Sequence, residues 1–490
     1  MTTDLRHALV PRAALLGIAL AVVSHTAAVV TSLTSLQAIP AWHWAALLIS
    51  DACLAVVVIR RSEWFLTRNF RLPGIFVVTT CLLILVPLPA TVRRYRFIVP
   101  HQTVLAIAAG LAAFAIVTYL LTARPPTLHH VQSGPSDSML AWAIVVLSVV
   151  LLPIWIRSIG SVPFFELFGS TNALTAAGER DRALNSLSNG ALRAAVGGLR
   201  NLYLMFATGY LVSRAATTTR EDWRALTRWR TIALGALGIA SLYALVTTER
   251  AILGELVIVS VVAWLVSRRK RLSVRHVAVS SVISISFPVM YAILVGAGGF
   301  ATSLNGLKRR IFYLPDDVML HYFIEFPRFH AFLHGSSIPK WGRITGTPTF
   351  DLSSHIYDKF YKVDASLTGI ANGSFLGVGW ANWGTVGVIA WCVVAAFAVV
   401  LAERILRSFP TTSSAALRGV AVVQTALLTS SDLSRSLIGF LPGFLDIVAI
   451  LWIVRKVDQR LGKTARTNES GRRVSATRQP SRRFEGGRIR

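Results

Sequence analysis

Residues 13–34 read AALLGIALAVVSHTAAVVTSLT, an apolar run that decides the fold class of this chain. A helix needs roughly 20 mostly apolar residues to cross the hydrocarbon core of a bilayer, and this run is long enough. Arg6 and Arg12 precede it, as in a signal peptide, but a cleaved signal has an apolar core of only about 7 to 15 residues. The pattern therefore predicts an uncleaved first membrane span.

Apolar runs of the same kind recur along the chain. Of its 490 residues, 53% are hydrophobic and 15% are charged, whereas soluble domains carry roughly a quarter charged residues. The sequence therefore predicts an all-α polytopic membrane protein with about twelve transmembrane helices. The predicted spans are 13–34, 42–59, 73–90, 102–122, 139–156, 191–213, 231–248, 251–267, 277–297, 376–402, 412–430 and 436–454.

The distribution of Lys and Arg orients these spans, because cytoplasmic loops carry an excess of both residues. With both termini in the cytoplasm, most basic loops fall on that side, including the run SRRKRLSVR at 267–275. Two long segments then lie outside, 157–190 and 298–375, the second between the ninth and tenth helices. The sequence thus predicts a multi-pass protein of the bacterial inner, or plasma, membrane.

The net charge of +27 indicates an anionic partner, and the position of the charge suggests which one. Residues 456–490 are rich in Arg and nearly devoid of apolar side chains, so we expect a disordered cytoplasmic tail. Its expected partner is the anionic lipid of the inner leaflet rather than nucleic acid. Residues 1–455 are predicted to form one transmembrane domain, and its three cysteines lie in apolar runs that offer no disulfide framework.

The predicted outer loop 298–375 mixes basic, acidic and histidine side chains. Arg suits phosphate groups, and histidine or carboxylate groups can act as general bases. For any single residue, a solvated surface charge is the commoner explanation. The loop has neither HExxH nor paired CxxC, so the sequence indicates no metal site. Asp316 and Asp317 are adjacent, and we expect them not to converge on one ligand.

Arg250, in TTERAILGEL, is the sharpest single candidate, because it stands at the outer mouth of the eighth predicted span. A guanidinium near hydrocarbon needs an anion or another partner. Glu249 or Glu255 could pair with it, or its side chain could extend to lipid head groups. Asp51 and Asp446 lie within spans, where a neighbouring Ser, Thr or Trp could satisfy them.

Two more basic clusters are predicted on the outer side, and together with Arg250 they suggest an anionic ligand. The clusters are Arg93, Arg94 and Arg96, and Arg180 with Arg182.

Three stretches of the chain resemble the O-antigen polymerase and ligase superfamily, especially its oligosaccharide repeat-unit polymerases. ERDRALNSLSNGALRAAVGGLRNLYLMF (179–206) is similar to the arginine-bearing segment of that superfamily, and TTERAILGEL (247–256) to its span that begins near an Arg. NGSFLGVGWANWGTVGVI (372–389) is similar to the aromatic-glycine motif that follows the long loop. The helix count and the late outer loop complete the resemblance, which implies a GT-C-like helical bundle.

The resemblance implies a metal-independent glycosyltransferase without a cofactor, which polymerises polyprenyl-diphosphate-linked oligosaccharides outside the membrane. An acceptor hydroxyl would attack the anomeric carbon, arginines would stabilise the departing diphosphate, and a loop histidine would take the proton. It also implies a flippase and a chain-length regulator as partner proteins. The implied diphosphate- and glycan-binding residues are Arg180, Arg182, Arg250, Arg328 and Arg343, and the candidate bases are His321, His330 and His355.

Other functions remain open. A flippase or transporter of lipid-linked oligosaccharides would suit the helix number, although its charges should line a path within the spans. A ligase-like transferase would show a short His motif that is not plain here. A transferase of the mannosyltransferase kind would carry an acidic residue in the first outer loop, and LQAIPAWHW has none. A scaffold of an envelope-assembly complex is a non-enzymatic alternative.

Overall fold

The computed structural model describes most of the chain between residues 13 and 457. The described ranges are 13–34, 39–65, 70–123, 135–159, 187, 189–219, 221–246, 250–270, 273, 275–276, 278–283, 285–286, 300–338, 341, 345–362, 370–371, 373–430 and 444–457. Within these ranges the chain forms helices and turns and no β-strand. Nearly all of the predicted tail 456–490 and most of the predicted loop 157–190 lie outside the described residues.

Helices account for every described stretch that was predicted to span the membrane. In chain order they are α1 (Ala13–Thr34), α2 (Ala41–Arg60), a single turn (Ser62–Phe65), α3 (Leu72–Thr80), a π-helical turn (Cys81–Leu85), α4 (Leu88–Arg94), α5 (Gln102–Leu121), α6 (Pro135–Ile159), α7 (Gly190–Gly198), a second π-helical turn (Leu199–Tyr203), α8 (Leu204–Thr217), α9 (Trp223–Val246), α10 (Arg250–Ser267), α11 (Phe300–Phe312), α12 (Leu314–Glu325), α13 (Leu352–Phe360), α14 (Phe375–Arg407), α15 (Thr411–Ser430) and α16 (444–457).

Seven of these helical segments are long and apolar enough to cross a membrane, which confirms the predicted all-helical, membrane-embedded architecture. They are α1, α2, the segment from α3 to α4, α5, α6, α9 and α14. α10 is also apolar but slightly shorter. The predicted spans 277–297 and 436–454 are described only in part.

Small residues allow the central helices to approach each other closely. On α5, a Cβ added at Gly110 would lie 2.8 Å from the sulfur of Cys392 on α14. On α15, a Cβ added at Gly419 would lie 2.7 Å from the carbonyl oxygen of Val259 on α10. Membrane helices associate through such contacts because lipid supplies no hydrophobic force between them.

α14 is not one continuous span, which corrects the boundary predicted at residue 376. Trp383 and Gly384 leave the helical conformation, and Gly384 has a φ of 59°, in the region that favours glycine. The short arm before this break folds back on the long arm, because a Cβ added at Gly379 would lie 2.6 Å from the carbonyl oxygen of Gly387. The glycines of the aromatic-glycine motif therefore permit a helical hairpin, and packing of straight helices does not account for them.

Two buried charged clusters mark the two ends of the bundle. Arg71 immediately precedes α3 and donates to Glu403 near the end of α14, at 2.6 Å. Arg94, the last residue of α4, lies 3.6 Å from Asp317 of α12. Because the segment from α3 to α4 traverses the bundle, Glu403 and Asp317 lie at opposite ends.

Candidate functional site

The described part of the predicted outer loop 298–375 includes the helices α11, α12 and α13, and several of its charged groups are buried. Asp316 and Glu325 are 0% and 1% exposed, and Asp317 and His321 are also buried. For these four residues the interpretation as solvated surface charges is wrong. α12 has its polar groups inside because it is covered by neighbouring helices, not by water.

The short arm of α14 anchors this loop. The indole nitrogen of Trp380 donates to the carbonyl of Phe326 at 2.7 Å, just after α12. Asn382, fully buried, accepts from the backbone nitrogen of Gly335 at 2.9 Å and donates to Ser337 at 2.8 Å. The aromatic-glycine motif thus forms the platform on which residues 326–337 dock.

Asp317 is the centre of a hydrogen-bonded network, which we call the Asp317 cluster and which comprises Asp317, Tyr95, Arg94, Tyr361 and His321. Tyr95 donates to one carboxylate oxygen at 2.8 Å, and Tyr361 donates to the other at 2.9 Å. Arg94 is the nearby cation, at 3.6 Å, and its side chain is largely exposed. Burial, reinforced by Asp317, raises the pKa of Tyr95 to about 12 and raises that of Tyr361 further, so both phenols stay neutral donors.

His321 extends this network by one step. Its Nδ1 lies 2.9 Å from the hydroxyl of Tyr361. Because that hydroxyl gives its proton to Asp317, the network assigns the proton of the imidazole to Nδ1, which donates to Tyr361. Burial lowers the pKa of His321, although Asp317 acts in the opposite direction. The imidazole is therefore neutral near pH 7, and Asp317, Tyr361 and His321 form a chain of hydrogen bonds.

Asp316 behaves differently from its neighbour. It is fully buried, and neither carboxyl oxygen has a hydrogen-bond partner among the described residues. Burial raises its pKa to about 8. A hydrogen bond from Thr91 would lower the pKa, but the hydroxyl of Thr91 donates to the carbonyl of Pro87 instead. Near neutral pH Asp316 is mainly a protonated acid, whereas Asp317 accepts two hydrogen bonds.

A second network lies four residues along α12 from His321. His355 of α13 contacts Glu325 through Nε2 at 2.9 Å, and Lys359 contacts the other oxygen of Glu325 at 2.6 Å. The ring of His330 lies 5.7 Å from that of His355, and its Nδ1 donates to the carbonyl of Ala331. His330 and His355 therefore lie together, one helical turn from His321.

A cavity of about 410 Å³ adjoins the Asp317 cluster. Tyr361 belongs to both, and Arg310 at the end of α11 supplies a cation. Among the described residues, no carboxylate lies within ion-pair distance of Arg310. The rest of the lining is mostly apolar. The cavity is lined by Arg310, Leu314, Pro315, Val318, Tyr357, Tyr361, Ile370, Ala371 and Ser430.

The structure brings some of the predicted site residues together, separates another from the cavity, and does not describe the rest. His321, His330 and His355 belong to the two networks just described. Arg328 is exposed and lies over the ring of Phe329, 5.2 Å from its centre, and Lys359 of the second network contacts the same ring at 4.5 Å. Arg250 begins α10, but its side chain is not described. Arg180, Arg182 and Arg343 lie outside the described residues.

Residues that the sequence analysis did not select complete the networks. Asp317, His321 and Glu325 follow one another at intervals of four, the spacing of one helical face, and this signal could have been found. Tyr95 and Tyr361 carried no such signal, because they come from distant parts of the chain. Within the described part of the chain, no group of three or more His, Cys, Asp or Glu residues is arranged to hold a metal ion.

Comparison with protein-family models, with curated proteins and with solved structures finds no match to this chain.

Proposed function

We propose that this chain is a membrane glycosyltransferase that polymerises polyprenyl-diphosphate-linked oligosaccharide repeat units into a cell-surface polysaccharide. In this proposal it lies in the bacterial plasma membrane with about twelve spans and both termini in the cytoplasm. The Asp317 cluster then faces the outer side, and the Glu403 end faces the cytoplasm. The abundance of Lys and Arg at the Glu403 end supports this orientation.

The observation that carries the proposal is a proton-accepting chain beside a cavity that is lined by Arg310, for which the described part of the chain provides no carboxylate partner. Tyr361 lines the cavity, and its hydroxyl donates to the carboxylate of Asp317. An acceptor sugar hydroxyl placed there would pass its proton to Tyr361 as Tyr361 passes its own to Asp317. The sugar oxygen forms the new bond to the anomeric carbon as the bond to the diphosphate oxygen breaks.

Arg310 suits the leaving group in this reaction. The departing diphosphate takes the bonding electron pair, and a guanidinium stabilises this charge through paired hydrogen bonds. The apolar lining, including Leu314, Val318 and Ile370, suits the polyprenyl chain. His321 becomes a positioning residue here, because it touches Tyr361 and not the cavity.

Arg250, one of the arginines implied by the resemblance, is part of the same proposal. Val259 of α10 contacts α15 at Gly419, next to Arg418 at the Glu403 end, and α10 ends with Ser267 bonded to Ser213 of α8. The backbone of Arg250 therefore begins α10 at the end that lies away from Glu403. Replacing Arg250 with Ala is expected to abolish polymer growth without lowering the amount of protein in the membrane, and normal glycan length would remove it from the site.

The test is reconstitution of the full-length protein with a polyprenyl-diphosphate oligosaccharide, with and without EDTA. We expect chain extension in both conditions, and a loss of about 100-fold in Arg310→Ala, comparable to removal of one transition-state donor. Lys308→Ala, which removes another basic side chain of α11 that does not line the cavity, is the matched control and should keep its activity. No extension under any metal condition would refute the proposal.

A flippase or transporter is the second candidate, and one observation favours it. His25 of α1 and Asp51 of α2 form a buried pair at 2.6 Å within two spans, and the other ring nitrogen of His25 lies 2.9 Å from the carbonyl of Leu85. Charged groups within spans commonly mark transport paths. Translocation of a labelled lipid-linked oligosaccharide across proteoliposomes, without extension, would support this function instead.

A further inference from the structure

A second cavity lies at the Glu403 end of the bundle, far from the site proposed for catalysis. Its volume is about 570 Å³, and it lies between α8, α10 and the helical residues of 275–276 and 278–280. α8 and α10 both pass α15 near Gly419, and Ser213, one turn before the end of α8, is hydrogen-bonded to Ser267 at the end of α10. These contacts place the cavity at the Glu403 end. Its lining residues are Val212, Ser260, Val261, Trp264, Arg275, His276, Val279 and Ser280.

One part of this cavity is apolar and the other is cationic. Val212, Val261 and Val279 form an aliphatic wall. At the other side, the ring of Trp264 has the ammonium of Lys270 at 5.1 Å and the ring of His276 at 5.7 Å. Such an arrangement matches an amphiphile that has an apolar chain and an anionic head.

The cationic side has no acidic residue nearby in the chain to neutralise it. Between Leu256 and Pro315 the sequence contains no Asp or Glu, while 267–275 alone reads SRRKRLSVR. Arg275 is the guanidinium that lines the cavity. The positive charge is therefore available to an external anion.

The hydrogen bonds of His276 indicate which of its ring nitrogens can donate to a ligand. The backbone nitrogen of Ser273 donates to Nδ1 of His276 at 3.2 Å, and the hydroxyl of Ser273 lies 2.6 Å from the same atom. Nδ1 is therefore an acceptor, so a neutral His276 carries its proton on Nε2. Among the described residues, no hydrogen-bond acceptor for Nε2 is found. A phosphate oxygen would accept this proton without requiring the histidine to be charged.

We propose that this cavity binds one anionic phospholipid from the leaflet at the Glu403 end. The phosphate contacts Arg275 and His276, Lys270 adds positive charge, and one acyl chain lies against Val212, Val261 and Val279. Charge complementarity selects an anionic lipid over a zwitterionic one. The proposal is independent of the glycosyltransferase proposal, because the two cavities lie at opposite ends of the bundle.

The test is native mass spectrometry of the full-length protein from vesicles of equal phosphatidylglycerol and phosphatidylcholine. We expect one phosphatidylglycerol to be retained in preference to phosphatidylcholine. Arg275→Ala should lower its retention about fivefold, the effect of one basic residue near an anionic lipid. Val279→Trp, which fills the aliphatic part and leaves every charge in place, should lower retention of the same lipid, and it serves if Arg275→Ala does not fold.

Arg268→Ala is the matched control, because it removes one charge from the same basic run but not from the cavity. It should retain phosphatidylglycerol within twofold of the unmodified protein. Equal losses in Arg268→Ala and Arg275→Ala would show diffuse surface attraction and overturn the proposal. Equal retention of the two lipids, or displacement of the lipid by inorganic phosphate alone, would overturn it as well.

Discussion

Two buried carboxylates at opposite ends of the bundle are stabilised in different ways. Glu403 lies within 2.6 to 3.0 Å of three arginines, Arg71, Arg407 and Arg418, and also accepts from the backbone nitrogen of Leu72. Asp317 accepts from two tyrosines, and Arg94 lies at a longer 3.6 Å. One carboxylate is surrounded by fixed charge, whereas the other is held by neutral hydroxyl groups beside a cavity.

This difference separates a structural cluster from a functional one. A carboxylate that is paired with three guanidinium groups has no hydrogen-bonding capacity left for a substrate. Its arginines are already paired as well. A carboxylate held by phenols can accept a proton through them, and Arg310 nearby is free of described ion-pair partners. The glycosyltransferase proposal therefore rests on the Asp317 end, and the following predictions test the distinction.

The largest effect is expected for Glu403→Gln. This change leaves Arg407 and Arg418 buried without their carboxylate, and breaking a buried ion pair in this way costs about 3 to 5 kcal/mol. The measurement is the amount of monodisperse protein that remains after heating in detergent. Glu63→Gln, an exposed carboxylate next to the same end, should change stability by less than about 0.5 kcal/mol. Equal melting of the two variants would contradict the structural role of Glu403.

The second prediction concerns activity and not stability. Asp317→Asn and Tyr361→Phe interrupt the proton chain, and each should lower the rate of chain extension about 100-fold or more. Their thermal stability should fall far less than that of Glu403→Gln, because no buried cation loses its partner. Asp358→Asn, an exposed carboxylate on α13, is the control and should keep its activity. Full activity in Tyr361→Phe would exclude Tyr361 from proton transfer.

The sequence correctly predicted an all-helical chain with several long apolar helices, because apolar runs are a local signal. Each of the first four predicted spans lies within a few residues of a helix or a helical pair. It could not predict the break in α14, since Gly384 is needed there only because the short arm folds back. The spacing of Asp317, His321 and Glu325 does mark one helical face, but the sequence could not predict that Tyr95 and Tyr361, more than 200 and 40 residues away, are the partners of Asp317.

The sequence also could not predict the partners of charged residues within the predicted spans. Asp51 was expected to be satisfied by a neighbouring Ser, Thr or Trp, yet its partner is His25 on the preceding helix. Both residues occur within apolar runs, and only the pairing of α1 with α2 brings them together. Tertiary contacts, which one sequence does not display, therefore determine which buried charges are neutralised.

The third prediction uses Asp316, the unpartnered neighbour of Asp317. Its pKa is raised from an ordinary value near 4 to about 8, so the folded protein binds a proton that the unfolded chain has released. Folding stability should therefore fall as the pH rises from about 4 to about 8 and change little above that. Asp316→Asn should flatten this dependence and melt about 2 °C or more higher at pH 8. Identical pH profiles of stability for the variant and the unmodified protein would show that Asp316 ionises at its ordinary pKa near 4 in the folded protein.

The smallest expected effect is the response of His321 to acid. Because burial lowers its pKa, the acidic limb of the pH–rate profile that His321 contributes should have its midpoint below 6.5. The folded pKa lies below the unfolded one, so the associated stability is present above pH 6.5 and is lost as the pH falls through the folded pKa. Over that range we expect only a two- to tenfold loss of rate, since His321 positions Tyr361 and the proton goes to Asp317. His321→Gln should remove this acidic limb while keeping part of the activity. A midpoint above 6.5 in the unmodified protein would mean that the folded structure stabilises the cationic form of His321, just as Glu403 stabilises the arginines around it.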